Sequence, residues 1–495
     1  MDLEVWTVGG AGFLVEVFRA LKLFLYGDSI TGFIKFFVLS SAILFILMSI
    51  FGRDKMAFLK WFPMLVIVLN LCFAPITNLT IIDRQTGRTE VIRDFPFLPG
   101  FLLSFFSTTS DFLVSSIDQL FHTGLTISGG IGASYDVQNL DYAKNGFGGV
   151  SFLGRKALQY RFTDTKEFVE FSGMLNAYID QCFLPYIAGD PQEIQTRLSG
   201  DIFANMRVDT FLMEWQGQIY TCSEFYDTKL SPEYNDILNQ IRTNPELAGF
   251  TVEAASKLGD IITALTNEVI SFENAVVRGG IINALSYSIA KAGVDSPGML
   301  ASYIAGRTAE QNKVLWRSIG EYASMMLPYL RNFLIAIAVF FSFLIIPLIL
   351  IPFFGGNSVQ VIFGYVKYIM WVWLWDPLLA LIDAGLKIKV LDDANEIVGV
   401  LAGSGLHFFS IHPIRELLDW YPAVGGYISA VMVPSLAWMF VRGFEMGVSA
   451  VSWMFSSMSG QVEREFGMLG RNIALDSAAA RVGLSGGEIR HYGER

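Results

Sequence analysis

The stretch FIKFFVLSSAILFILMSIF, Phe33 to Phe51, contains a single charged residue, Lys35. An apolar run of roughly 20 residues is the length that a helix needs to cross about 30 Å of hydrocarbon. Lys35 lies near one end of the run, where its long side chain can extend toward the membrane surface. The stretch therefore predicts a membrane-spanning helix.

The composition of the whole chain agrees with this prediction. Of its 495 residues, 53% are hydrophobic and only 16% are charged, and the mean hydropathy is +0.46. A soluble protein usually carries about a quarter of charged residues. We therefore expect a polytopic membrane protein with a substantial water-exposed part.

Five runs have the length and the low charge of membrane spans. They are Phe33–Phe51, Phe58–Pro75, Phe333–Phe354, Val359–Ile382 and Pro422–Val441. Two weaker runs, Phe97–Phe106 and Ile397–Phe409, are short or rich in Ser and Gly, so we interpret them as interfacial or re-entrant segments. The predicted fold class is a mainly α polytopic membrane protein with about five transmembrane helices.

The loop GRDKMAFLK between the first two spans predicts the orientation. Arg53, Lys55 and Lys60 oppose one acidic residue there, and short loops rich in Lys and Arg stay in the cytoplasm. Residues 76–331 would then be exported as one periplasmic domain, and the N-terminus would lie on the same side. This domain holds 28 acidic against 19 basic residues. The acidic balance argues against sequence-specific nucleic-acid binding, which requires a basic surface.

The N-terminal residues 1–32 are predicted to form an amphipathic helix at the periplasmic membrane surface. The chain opens with the acidic sequence MDLE, which is not typical of a signal peptide. Glu16, Arg19 and Lys22 recur every third residue, so a helix there has one charged and one apolar face. Such a helix is expected to lie along a membrane rather than through it.

The exported domain begins with a predicted β-hairpin. LTIID and TEVIRDF are rich in β-branched residues, and RQTGR between them provides a glycine for the turn. Two strands alone are marginally stable in water, so we expect the hairpin to pack on helices or to pair with another subunit. Amphipathic patterns predict that the rest of the domain is mostly helical.

Two of the three cysteines, Cys182 and Cys222, lie in the predicted periplasmic domain. Thiols oxidise in that compartment, so we predict a disulfide between them, the alternative being two separate buried thiols. Cys72 lies in the second span and is interpreted as a buried free thiol.

One group of residues inside the fourth span has a less ordinary composition. Trp371, Trp373 and Trp375 precede Asp376 in the sequence KYIMWVWLWDPLLALIDAG. A charged residue inside a span usually faces a bundle interior or a water path. Tryptophan residues also gather at the lipid interface, where a helix can end, and we favour this second interpretation.

Signals for catalysis, cofactors or metal binding are weak. His407 and His412 are five residues apart without a clear third ligand, so we predict no metal site. The chain contains no phosphate-binding G-x-x-x-x-G-K-[ST], no H-E-x-x-H and no C-x-x-C sequence. We therefore expect a protein that is not an enzyme and that needs no cofactor.

Several stretches, in order, resemble the N-terminal domain family of TraG, an inner-membrane component of F-type conjugative type IV secretion systems. They include LTIIDRQTGRTEVIRDFPFLPGFLLSFFSTTS, GVSFLGRKALQYRFTDTKEFVEFSGMLNAYIDQC, LWRSIGEYASMMLPYLRNFLIAI, WLWDPLLALIDAG and YISAVMVPSLAWMFVRGFEMG. The resemblance implies a multi-pass protein of the bacterial inner membrane that is needed for pilus assembly and DNA transfer. It also implies partners among other type IV secretion subunits, as a homo-oligomer or in a multi-subunit complex, and contact with membrane lipid.

The resemblance ends before the C-terminal tail. Residues 332–442 correspond to a three-span region, and residues 443–495 to an amphipathic segment and a polar tail. TraG proteins of F type carry a long further region tied to mating-pair stabilisation and entry exclusion, and the resemblance does not extend these two roles to this chain. A membrane transporter or ion channel unrelated to conjugation is the alternative, although transporters usually show repeated groups of spans.

Overall fold

The structure is a computed structural model that describes most of the chain between residues 2 and 442. The described residues are 2–25, 27–51, 75–129, 137–189, 196–198, 200–266, 268–293, 326–341, 358–400 and 406–442, with single positions at 62, 63, 66, 70 and 322. Most of the second predicted span, the residues Arg53, Lys55 and Lys60 and the tail 443–495 lie outside them.

The described chain is mainly helical, as predicted. Its elements are β1 Asp2–Thr7, α1 Ala11–Leu25, α2 Asp28–Phe51, β2 Pro75–Asp83, β3 Thr89–Pro96, α3 Phe97–Gly129, α4 Tyr142–Asn145, α5 Gly149–Leu158, α6 Val169–Tyr178, α7 Leu184–Gly189, α8 Ile202–Asn205, β4 Leu212–Trp215, β5 Gln218–Thr221, α9 Cys222–Phe225, α10 Ser231–Thr243, α11 Val252–Thr266, α12 Phe272–Gly293, α13 Met326–Phe341, α14 Ser358–Trp373, α15 Trp375–Val400 and α16 Phe408–Arg442. Short π-helical turns, Ile179–Phe183 and Tyr226–Leu230, join α6 to α7 and α9 to α10.

The predicted hairpin is present as β2 and β3, which pair antiparallel around a turn that contains Gly87 at φ 67°. Sequence analysis missed the third strand of this sheet. Strand β1 pairs parallel with β2, with Val5 opposite Ile81, so the sheet order is β1-β2-β3. The N-terminal region is therefore a strand followed by a helix, and not a helix alone.

Helix α1 has the amphipathic pattern expected of it, but the sheet covers its apolar face. Leu14 and Phe18 are buried in one hydrophobic cluster with Ile81 and Phe95, and the rings of Phe18 and Phe95 are 5.7 Å apart. This packing corrects the prediction of a helix whose apolar face rests on the membrane, because the same face cannot do both. On the charged face, Arg19 bonds a β3 carboxylate.

Helix α3 is continuous from Phe97 to Gly129, where the sequence suggested a short interfacial or re-entrant segment. Its buried side packs against β1, and a Cβ added at Gly100 would lie 3.2 Å from the Leu3 side chain. Its opposite side exposes Phe101, Phe105 and Phe112. The helix therefore exposes aromatic residues on one side and buries a mixed set of residues, among them Leu103 and Ser107, on the other.

Three helices among the described residues are long and apolar enough to cross a membrane: Phe97–His122, Gly364–Val398 and Pro413–Val441. The second and third contain most of predicted spans four and five. The first falls in the region that the sequence assigned to the exported domain. The first predicted span lies in helix α2, and the described start of the third lies in α13.

The break between α14 and α15 at Leu374 has a clear cause. Pro377 has no N–H, so it cannot donate to the carbonyl of Trp373 four residues earlier. The Ser110 hydroxyl of α3 donates to that carbonyl instead, at 2.9 Å. A neighbouring helix thus provides the hydrogen bond that this carbonyl lacks within its own helix.

A larger hydrophobic core lies among helices α5 to α12. It also includes the far ends of α15 and α16, through Val390, Ala394, Ile414 and Leu418. The sequence assigned these residues to a separate three-span membrane region. The packing shows that these ends of α15 and α16 are part of the central hydrophobic core.

Candidate functional site

The most unusual feature of the described chain is a row of buried charged residues on helix α15. Asp376, Asp383 and Lys387 are 4%, 2% and 6% exposed. Their spacing of seven and four residues places them on one face of the helix. Burying a charge is costly unless it is paired and hydrogen-bonded, so each of the three requires a specific partner.

Asp376 is paired with Arg331, which is fully buried on helix α13. The guanidinium also donates to the Thr7 hydroxyl of β1 at 2.5 Å and to Oδ1 of Asn332 at 3.0 Å. It lies 5.3 Å from the centre of the Trp373 ring. One arginine therefore joins the first strand of the chain, helix α13 and the α14–α15 junction.

A second network, next to Arg331, holds the start of helix α1. The buried Asp83 carboxylate accepts hydrogen bonds from the backbone N–H of Gly9 at 3.0 Å and of Ala11 at 3.4 Å. The Asn332 amide donates to the carbonyls of Gly9 and Gly10 at 3.2 Å. Both glycines have positive φ, 81° and 72°, a conformation that other residues rarely adopt.

The next charge along α15, Asp383, forms an ion pair with Lys387 one turn later. Asp383 also accepts a hydrogen bond from the Gly148 N–H at 2.8 Å, and Lys387 donates to the Leu140 carbonyl. The buried Asp118 of α3 accepts from the backbone N–H of Tyr142 at 3.0 Å. These contacts attach residues 137–149 to α3 and α15.

Burial raises the pKa of two titratable groups in this region. Desolvation raises the pKa of Asp141, and a hydrogen bond from His122 acts in the opposite direction. Desolvation also raises the pKa of the buried Tyr142 phenol, against the attraction of Arg331. Both residues lie outside the apolar helices.

The structure brings the sequence-predicted tryptophan group into the interior. Trp373 and Trp375 are buried, and the Trp371 indole donates to the Pro434 carbonyl of α16 at 2.7 Å. The interpretation of Asp376 as an interfacial residue is therefore corrected, because Arg331 faces it inside the protein. Sequence analysis missed Asp383, although the spacing of the three α15 charges was a readable signal.

Cys182 and Cys222 are joined by a disulfide and are fully buried. The bond connects the π-helical turn after α6 to the start of α9, immediately after strand β5. Close by, the Gln181 side chain bonds both backbone groups of Glu214 on β4, accepting at 2.8 Å and donating at 3.3 Å. The disulfide and this amide together fix the small β4–β5 hairpin on the helical core.

The part of the chain that the structure describes shows no metal centre. No group of three or more His, Cys, Asp and Glu residues is arranged there to hold a metal ion. His407 is buried at the start of α16, where its ring accepts a hydrogen bond from the Ser410 N–H at 3.3 Å. The buried charges are engaged in joining segments to one another.

Comparison with known proteins gives one family. The family described as "TraG-like protein, N-terminal region" matches residues 4–463. Protein TraG of Escherichia coli (strain K12) is 28% identical over 161 residues, which are 32% of this chain and 16% of that protein. No solved structure matches the chain. Because the family match covers most of the sequence, the chain belongs to the TraG-like N-terminal region family.

Proposed function

We propose that this protein is a structural and channel subunit of an F-like type IV secretion system in the bacterial inner membrane, needed for pilus assembly and DNA transfer. The family match over residues 4–463 is the observation that carries the proposal. The long apolar helices support a place in the membrane.

The contacts of the buried charges support a holding role rather than a catalytic one. Arg331 joins three segments that are far apart in sequence, and Lys387 joins α15 to residues 137–149. Such contacts would keep the membrane helices and the central domain in one fixed arrangement. A subunit that connects the membrane parts of a machine to its periplasmic parts needs such a fixed arrangement.

The path of the chain around the sheet supports a two-span membrane hairpin near the N-terminus. Near the end of α1, Lys22 contacts Asp94, and the adjacent Phe95 pairs with Thr77 at the start of β2. The chain thus leaves α1 and returns to β2 at the same end of the sheet. A sheet with open edges and charged residues does not lie in hydrocarbon, and this supports an even number of crossings between the two points.

The remaining part of the topology follows from the positive-inside rule. Arg53, Lys55 and Lys60 would lie in the cytoplasm, and the N-terminus and the sheet would lie in the periplasm. The central helical domain would then face the periplasmic components of the machine. The acidic character of this domain argues against sequence-specific DNA recognition by it.

The structure changes our expectation of how partners bind. Sequence analysis suggested that an edge of the hairpin pairs with another chain. One edge is occupied by β1, and at the other Lys22 donates to the Arg93 carbonyl of β3 at 2.7 Å. Charged groups on an edge strand discourage strand addition. The exposed aromatic side of α3 is a better surface for lipid or for another subunit.

Deletion of the gene in a donor strain tests the proposal. We expect the donor to lose pili and DNA transfer, while DNA nicking and the activity of the energising ATPases remain. Complementation with the wild-type gene should restore both lost properties. Normal conjugation in the deletion strain, or loss of uptake of one small solute instead, would reject the secretion role.

The transporter alternative rests on one observation, the presence of charges inside apolar helices. Such charges often line ion or substrate paths. Asp376→Asn separates the cases when transfer, protein level and solute flux are measured together. Loss of transfer at normal protein level without any change in flux supports the secretion role, whereas altered flux supports the transporter.

A further inference from the structure

We propose that the junction between α3, residues 137–149 and α15 is a proton-binding site that controls how firmly residues 137–149 dock on α15. We call residues 137–149 the docked segment. The inference rests on geometry at the junction and does not depend on the proposed role in secretion.

Ionisable side chains make hydrogen bonds that attach the docked segment to α3 and α15, beside the apolar packing of Tyr142, Ala143 and Phe147. On one side, Asp118 accepts from the N–H groups of Tyr142 and Ala143 at 3.0 and 3.2 Å. On the other, Asp383 accepts from the Gly148 N–H at 2.8 Å, and Lys387 donates to the Leu140 carbonyl. A change in charge at these groups therefore acts directly on the docking contacts.

Besides the neutral Gln85 amide of the β2–β3 turn, which donates to the Asn145 carbonyl, the surrounding elements contribute charged or titratable groups. They are Asp118 and His122 of α3, Asp141, Tyr142 and Lys144 of the segment itself, Asp383 and Lys387 of α15, Lys257 and Asp260 of α11, and Arg331 of α13. The α11 groups bond the segment from outside: Lys257 donates to the Lys144 carbonyl and is paired with Glu253, and Asp260 accepts from Asn139. Arg331 is already paired with Asp376.

The inner part of this set carries more negative than positive charge. Three carboxylates, those of Asp118, Asp141 and Asp383, face two ammonium groups, those of Lys144 and Lys387, so one negative charge remains unbalanced. Unbalanced charge in a partly buried place is unfavourable. One proton on the Asp141 carboxyl, which is hydrogen-bonded to His122, removes the imbalance.

The direction of the pH effect follows from this balance. Desolvation raises the pKa of Asp141 in the docked state, so the docked state binds a proton more tightly than an undocked, solvated state. Docking is then strongest at low pH. It weakens as the pH rises through the raised pKa of Asp141, by up to about tenfold in the docking equilibrium per pH unit for one proton.

Deuterium exchange of the full chain in detergent tests the site. Peptides from residues 137–149 are followed from about pH 4, near the ordinary pKa of a carboxyl, up to about pH 8, with labelling times scaled to equal intrinsic exchange. We expect the protection of these amides to fall as the pH rises. The Asp141→Asn variant carries no charge at this position. At the upper end of the pH range, its amides in residues 137–149 should be more protected than those of the wild type, and their protection should vary less with pH.

A matched control lies on the same helix. Asp393 forms an ion pair with Lys389 at the same spacing of four residues, but away from the docked segment and nearer to solvent. Asp393→Asn should follow the wild-type profile. Wild-type protection that is constant or rises with pH overturns the proposal. So does a loss of protection in Asp141→Asn at every pH, because that result indicates a purely structural ion pair.

Discussion

Arg331 and Asp376 form an ion pair in which the two side chains are 0% and 6% exposed, across 45 positions of sequence. The same guanidinium reaches back 324 positions to the Thr7 hydroxyl. The pair therefore joins the beginning of the chain to two helices of its later half. If one partner is removed, the remaining charge is buried and cannot be hydrated by solvent.

Removal of one partner should be strongly destabilising. We expect Arg331→Met or Asp376→Leu alone to lower the free energy of unfolding by about 3–5 kcal/mol, because each leaves an uncompensated buried charge. The double variant should be more stable than either single variant. The free energy of unfolding is measured in detergent for all three variants. Arg207→Ala, which breaks the exposed pair with Asp227, is a nearly neutral control. A double variant that is no better than the singles would contradict the pairing.

The Gly9–Gly10 turn should tolerate no side chain at its second position. A Cβ at Gly10 would lie 2.5 Å from the Asn332 amide nitrogen, and φ there is 72°. We expect Gly10→Ala to destabilise the protein by roughly 1–3 kcal/mol. Gly12→Ala, two residues later in α1, meets nothing within 4 Å and should be neutral or slightly stabilising. Thermal unfolding of the two variants side by side decides; equal effects would show that the turn is not constrained.

The Cys182–Cys222 disulfide should contribute measurably to the central domain. It closes a loop with a sequence separation of 40, which in the chain-entropy model is worth about 3–4 kcal/mol. We expect only Cys72 to react with a maleimide in unreduced, denatured protein, and all three cysteines to react after reduction. Labelling of three thiols without reductant would show that the bridge does not form in the cell.

Tyr178 should make the central domain sensitive to alkali. Its hydroxyl donates to the Met206 carbonyl at 2.9 Å and accepts from the Val208 N–H at 3.0 Å, and burial raises its pKa to about 12. A raised pKa gives stability that is complete below the ordinary value near 10 and is lost as the pH rises through about 12. Unfolding measured from neutral to alkaline pH should show this loss.

The variant Tyr178→Phe separates the hydrogen bonds from the titration. It should cost about 1–3 kcal/mol at neutral pH, because the Val208 N–H loses its acceptor, and it should remove part of the alkaline loss. Tyr287→Phe at an exposed tyrosine should change neither property. An alkaline profile identical to that of the wild type would show that Tyr178 does not titrate with unfolding.

Reporter fusions should report the proposed orientation. A periplasm-active reporter fused near Gly148 should be active, because residues 76–331 are predicted to be exported. A fusion near Lys55 should be inactive, since Arg53, Lys55 and Lys60 would hold that loop in the cytoplasm. The reverse pattern would place the sheet and the central domain on the cytoplasmic side.

The sequence by itself determined the features that depend on local patterns. Low charge and apolar runs indicated membrane helices, and β-branched residues around RQTGR predicted the β2–β3 hairpin. The family resemblance was also detectable from the sequence, because it depends on the order of residues along the chain. These signals depend on neighbours a few positions apart, and such neighbours are visible in a sequence.

Only the tertiary structure decided which distant segments meet. The segment Asp2–Thr7 is too short for its sequence pattern to predict a strand. It forms a strand because it pairs in parallel with the edge of β2. Arg331 lies opposite Asp376 and corrects its interpretation as an interfacial residue, and the parts of α15 and α16 between predicted spans four and five pack in the central core. A buried charge or an apolar face is stable only with its partner, and that partner is chosen by folding in space rather than by spacing along the chain.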